Sequence, residues 1–146
     1  MRFRLPDTRA TAMPAVSSEI PFSASPHLCE ILECLGARES AAPGSFLFRR
    51  GDSCRGVFVI KNGVVGVSIP DHKPPFHRTA GAGCILGLPA TMSGKPYSLT
   101  AEVLEEAQVV FVPRHMVLKS LEHNPELCFE VLGLLSREVQ QLRERL

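Results

Sequence analysis

Between Val57 and Ile69 the chain reads Val-Phe-Val-Ile-Lys-Asn-Gly-Val-Val-Gly-Val-Ser-Ile. Such a run of β-branched and aromatic residues, only a dozen or so long and centred on Asn-Gly, fits a pleated surface far better than a helix. Asn-Gly tolerates the positive φ that tight strand reversals need, so Lys61-Asn62-Gly63 predicts a hairpin between strands Gly56 to Lys61 and Val64 to Ile69. The same texture, short Val, Ile, Phe and Leu runs broken by Gly, Pro and Asp, extends from Gly44 to Pro113. It predicts further strands at Phe46 to Arg49, Ser98 to Val103 and Ala107 to Val112. Pro74 and Pro75 remove backbone donors, so Pro70 to Arg78 is expected to be a loop.

Helical spacing flanks this β-region on both sides. Leu28, Ile31, Leu32 and Leu35 recur on one face of a segment that Pro26 opens and Gly36 closes. After Pro113, the group Met116, Val117, Leu118 and Leu121 predicts a short helix that stops near His123. Asn124 then offers an N-cap, Pro125 suits the first helical position and Glu126 favours the positive end of the helix dipole. A continuous helix over 126 to 146 follows, with Leu132, Leu135, Val139, Leu142 and Leu146 spaced by three and four along one seam. A partner helix and packing against the chain's own core both account for that spacing.

Composition narrows the function classes. In 146 residues, 45% hydrophobic, 16 Lys plus Arg face 15 Asp plus Glu, leaving a formal charge of +1 and no basic excess to attract nucleic acid or anionic lipid. No apolar run approaches the roughly 20 residues of a membrane span, and residues 1–25 lack a signal-peptide core, so a cytoplasmic protein with a loose N-terminal arm over 1–25 is expected. The five cysteines contain no C-x-x-C pair, which speaks against a disulfide framework and a zinc ribbon. Cys29 and Cys34, five apart on a helix, point about 140° from each other and make poor joint ligands. The histidines at 27, 72, 77, 115 and 123 show no H-x-H or H-x-x-x-H spacing, and His77 reads as a solvated loop residue rather than a haem ligand. No Ser-His-Asp or Cys-His arrangement is legible around Ser98 or Cys84, so neither an enzyme, nor a metal, nor a resident cofactor is expected.

The order helix, strands, two closing helices, together with Gly44-x-x-Leu47-Phe48-x-x-Gly51-Asp52, Val57 to Val65, Gly81 to Leu88 and Pro113 to Leu135, resembles the sensor half of catabolite-activator and FNR-type transcription regulators. The resemblance covers residues 26–146. It implies a mainly β fold with flanking helices, a double-stranded β-helix (jelly-roll) barrel over 26–123, and a dimerisation helix over 124–146 that pairs two subunits through Leu132, Leu135, Val139, Leu142 and Leu146. In the regulators a helix-turn-helix domain follows that helix; this chain ends at Leu146 and is not expected to bind DNA specifically by itself. Cluster-binding members carry closely spaced N-terminal cysteines, a pattern that Cys29 and Cys34 do not reproduce.

The resemblance also places a phosphate-binding cassette at Gly87-Leu88-Pro89-Ala90-Thr91-Met92-Ser93-Gly94-Lys95-Pro96-Tyr97-Ser98-Leu99-Thr100. Nucleotide-binding members have a Glu directly after the glycine, for the ribose hydroxyl, and about ten residues on an Arg that grips the phosphate as a fork. Here those places hold Leu88 and, allowing one deletion, Tyr97. A bidentate charged contact is worth on the order of 1.5–3 kcal/mol, and Lys95, a point charge on a flexible stem, does not replace it. The expectation is a sensor or dimerisation module that does not bind cyclic nucleotides. Its candidate ligand residues are Gly87, Leu88, Pro89, Ala90, Thr91, Met92, Lys95, Tyr97, Ser98 and Thr100, open to a small anionic effector at the amides of Ala90 to Met92. A ligandless scaffold, its interior filled by Leu88, Met92, Tyr97 and Leu99, and a true nucleotide site with a divergent cassette are the alternatives.

Overall fold

The computed structural model describes residues 24–69, 73 and 76–145, with the side chains of the last helix described as far as Ser136. The N-terminal arm up to residue 23 lies outside the described residues. In chain order the elements are α1 (Pro26–Leu35), β1 (Ala37–Ala41), β2 (Phe46–Phe48), β3 (Gly56–Ile69), β4 (Phe76–Ala80), β5 (Ile85–Leu86), α2 (Leu88–Ser93), β6 (Thr100–Pro113), α3 (Arg114–His123) and α4 (Pro125–Arg145). The fold is mainly β with flanking helices, as expected.

The expected hairpin at Asn62-Gly63 is not a hairpin. β3 runs straight through it and pairs antiparallel with β6 along its whole length, from Gly56 opposite Pro113 to Ser68 opposite Thr100. The register slips between Ile60 and Val65, and the two 14-residue strands bend there together. Asn-Gly supplies the same positive φ, +96° at Gly63, to a bulge instead of a reversal. A Cβ at Gly63 would stand 2.5 Å from the Cα of Ala107 and the carbonyl oxygen of Glu106, so the bend requires glycine twice over. The strands expected at Ser98 to Val103 and Ala107 to Val112 are likewise the two arms of β6.

Two further strands correct the sequence reading. Phe76 to Arg78, expected in the loop, belong to β4, which pairs with Val65 to Ile69 of β3 and puts the exposed His77 opposite Ser68 on a strand. β1 pairs with Ala107 to Phe111 of β6. The hydrogen-bonded path β1-β6-β3-β4, with β2 joined to β6 and β5 to β3, does not close among the described residues; the jelly-roll is a bent open sheet rather than a closed barrel.

Bending puts both arms of β3 and β6 around one interior. Phe58, Ile60, Val65 and Val67 meet Val103, Ala107 and Val109 inside, with Phe48, Leu86 and Tyr97. The alternate residues Val57, Val59, Val110 and Val112 face outward, where Leu28, Leu32, Val117, Leu121, Leu127, Val131 and Leu134 of the helices cover them. Both faces of this stretch are buried, which explains an unbroken apolar run where a half-exposed strand would alternate. Each fully buried side chain of this kind contributes roughly 1.5–3 kcal/mol.

The helix ends follow local chemistry. Ser25 Oγ accepts from the Leu28 N–H at 3.2 Å and Pro26 fills the first turn of α1. Gly36 is extended, not left-handed; it is glycine because the carbonyl oxygen of Phe111 would lie 2.4 Å from a Cβ. On α1, Cys29 is buried and Cys34 exposed, as their angular separation requires. Asn124 Oδ1 accepts from the Leu127 N–H at 3.2 Å and so caps α4. No described helix is long and apolar enough to cross a membrane.

Candidate functional site

The cassette stretch forms a short, closely held unit. Gly87, at φ +91°, turns the chain from β5 into α2, and Gly94, at φ +78°, ends the helix with its N–H donating to the Ala90 carbonyl at 2.8 Å. Leu88 is fully buried on the helix-facing side with Val57 and Ile85, while Ala90 and Tyr97 sit in the roll interior. Pro89 is exposed, and Met92 is half-buried against the helical layer. Thr91 is fully buried, and its hydroxyl lies 3.4 Å from Cys54 Sγ.

Tyr97 is the anchor of the following loop. It is 2% exposed and stacks on Phe48. Its hydroxyl donates to the Gly56 carbonyl at 2.7 Å and accepts from the N–H groups of Arg55 and Gly56, each at 3.2 Å. Its backbone pairs with the turn before β3, donating to the Asp52 carbonyl and accepting from the Gly51 N–H. Burial raises the phenol above its ordinary pKa, against the opposing hydrogen bonds from Arg55 and Gly56. The ring and its hydroxyl are thus committed to the protein itself.

The remaining candidates do not converge. Lys95 and Ser98 are exposed; the Lys95 N–H donates to Ser93 Oγ at 3.2 Å. Thr100 Oγ1 accepts from the Arg50 N–H at 3.0 Å. Among the described residues the interior presents Phe48, Phe58, Tyr97 and aliphatic side chains, with Leu99 packed beside them, rather than a set of polar groups turned toward a shared space.

Arg114, at the start of α3, belongs to this unit and was not singled out from the sequence. Its Nε donates to the Thr91 carbonyl at 2.8 Å, its N–H donates to the Arg55 carbonyl at 2.9 Å, and its guanidinium lies over Gly94. A cation in the first turn of a helix opposes the helix dipole, and that misfit was the legible signal that Arg114 serves another element.

The expected dimer seam is only partly within the described side chains. Leu132 is 53% exposed, whereas Leu135 is half-buried against the helix-facing core. Val139 and Leu142 lie on the described backbone of α4, but their side chains, and all of Leu146, fall outside the described residues. Phe129, three residues before Leu132, is 74% exposed and was missed, because the heptad count attends to the leucines. Leu127, Val131 and Leu134 form the stripe of α4 that packs on the roll.

Comparison with known proteins agrees with this architecture. The cyclic nucleotide-binding domain family matches residues 38–124. The Anaerobic regulatory protein of Bacillus subtilis is 26% identical over 125 residues, 84% of this chain and 52% of its own length. The chain therefore spans about half the length of that curated relative. Among solved structures, the Catabolite Activator Protein of Thermus thermophilus superposes with a TM-score of 0.70 at 18% identity, covering 83% of this chain and 58% of its own. The sensor domain of the transcriptional regulator DNR from Pseudomonas aeruginosa gives 0.64 at 18% identity, over 84% and 83%.

Proposed function

The chain belongs to the cyclic nucleotide-binding domain family, and on that premise we propose that it is the regulatory module of a catabolite-activator/FNR-type regulator that works without a cyclic nucleotide and pairs with its copy through α4. The observation that carries the first part is Tyr97. Where the resemblance asks for a phosphate-binding Arg, this chain has a buried phenol stacked on Phe48 with its hydroxyl already satisfied. Leu88, in place of the ribose-binding Glu, is equally committed, to the helix-facing core. The loss of a bidentate charged contact and a ribose hydrogen bond removes about 3–5 kcal/mol, enough to turn a micromolar site into a millimolar one.

The pairing rests on Leu132, a large apolar side chain left exposed on α4. The apolar lining of the interior supports a second reading, in which the roll is a scaffold for dimerisation and docking and no small molecule enters it. Titration calorimetry of the full chain with cyclic AMP and cyclic GMP tests the nucleotide claim. No saturable heat is expected below millimolar concentration, and micromolar binding of either nucleotide overturns the proposal.

A further inference from the structure

A cleft of about 320 Å³ lies outside the roll, where the start of α1 meets the middle of α4. Leu28 and Leu134, both of the helix-facing core, line it together with Phe129, Ala24 and Ser25. Gly133 leaves its floor open, since a Cβ there would meet nothing within 4 Å. Glu130 lines the same cleft, and one of its carboxylate oxygens, Oε2, accepts from Ser25 Oγ at 2.8 Å. The other, Oε1, is shielded from solvent and has no hydrogen-bond partner. Among the described residues no Lys or Arg forms an ion pair with Glu130; the salt bridge that is described joins Lys61 to Glu33. A carboxylate oxygen held away from water without a donor is a standing cost that a cationic donor removes. The carboxylate's terminal torsion is broad, so a modest rotation presents that oxygen to the cleft.

We propose that this cleft binds a small primary ammonium ion with a short apolar or aromatic body: the ammonium group on Glu130, the body between Leu28, Leu134 and Phe129. Small-molecule sites combine apolar walls with a few placed polar groups, and here Leu28, Leu134 and Phe129 stand beside Glu130 and Ser25 in a cleft of suitable volume. At about 100° per residue, Glu130 lies roughly opposite Leu132 and Leu135 on the helix, while Phe129 lies about 60° from Leu132. Pairing through those leucines leaves Glu130 free. A ligand here bridges α1 and α4, and so ties the long helix to the roll.

Amide chemical shifts of the full chain, followed during titration with benzylammonium and, as controls, benzyl alcohol and benzoate, test the proposal. Saturable shifts at Ser25 and Gly133 are expected with benzylammonium, at least tenfold weaker binding of the alcohol, and none of benzoate. Glu130→Gln should weaken the amine at least tenfold. Gly133→Leu, which replaces a helical glycine and fills the open floor, should abolish binding while the remaining spectrum is preserved. Absence of saturable shifts with benzylammonium, equal affinity for the alcohol, or unchanged affinity in either variant overturns the proposal and leaves the nucleotide claim untouched.

Discussion

Tyr97 and Phe48 lie face to face, their ring centroids 4.0 Å apart and their planes 11° from parallel. The contact joins the cassette loop to β2, so Tyr97 helps hold the roll together. Introducing Leu88→Glu with Tyr97→Arg, the pair that would recreate the nucleotide contacts, puts two charges into sites made for a leucine and a phenol. Each buried unpaired charge costs several kcal/mol against a total stability of about 5–15 kcal/mol. The expected outcome is loss of the cooperative urea transition; a double variant that keeps it would refute the packing role given to Leu88 and Tyr97.

Tyr97→Phe keeps the stacking and removes only the hydroxyl. The Gly56 carbonyl and the N–H groups of Arg55 and Gly56 then lose their shared partner, and a loss of about 1–3 kcal/mol is expected from urea unfolding. A change below a few tenths of that would mean water replaces the hydroxyl without cost.

Gly63→Ala combines an unfavourable φ with a Cβ that collides with the backbone of β6, and should cost about 2–6 kcal/mol. Gly44→Ala is the control. Its φ is +89°, but a Cβ there meets nothing within 4 Å, so only the strain of about 1–2 kcal/mol is expected. Equal melting temperatures for the two variants would show that the bend at Gly63 gives way.

Burial raises the thiols of Cys29 and Cys84 above their ordinary 9.0, for Cys29 with a further push from Glu33, and raises Tyr97 above 10.0. In each case the native state keeps the proton that the unfolded chain gives up. Stability from these groups is fully present below about pH 9, and is lost as pH rises through the folded values. The melting temperature should fall between pH 9 and pH 11, and less steeply in Cys84→Val. At pH 8 a disulfide reagent should modify the exposed Cys34 quickly, and Cys29 and Cys84 only at the rate of unfolding.

Leu132→Glu is the clean probe of pairing, because its side chain is more than half exposed. The variant should sediment as a monomer at high micromolar concentration, with a melting curve little changed apart from the loss of association. Leu135→Glu should also disrupt pairing, but with a loss of fold stability, since Leu135 packs on Leu134's side of the helix-facing core. A wild-type chain that is monomeric under the same conditions rules out α4 pairing.

The helices and the strand-rich middle were legible because each buries a periodic face or an unbroken apolar run. β1, Ala-Arg-Glu-Ser-Ala, was not: its residues are mostly exposed, and its conformation comes from the backbone of β6 beside it. β4 was hidden by Pro74 and Pro75, which precede it in the sequence and lie outside the described residues. At Asn62-Gly63 the local conformation was legible and its use was not, since a bulge and a hairpin draw on the same positive φ. The turns at Gly87 and Gly94 were legible from the glycines, but the role of Tyr97 depended on Phe48 and Gly56, about 40–50 residues away, and no local pattern carries that. Arg114 and Glu130 act across elements in the same way.

The two bent strands also govern how the chain must assemble. Their closest pairing in sequence, Ser68 with Thr100, spans 32 residues, and from there the ladder runs outward to Gly56 and Pro113. A loop of that length has to close before the first rung forms, and every later rung depends on the one before it, so folding is expected on the slow side for a domain of this size. Neither wall of the roll is a foldable piece, because each takes one arm from each strand. A chain cut between β4 and β5 would give two fragments, each with half of every wall, that acquire structure only on meeting.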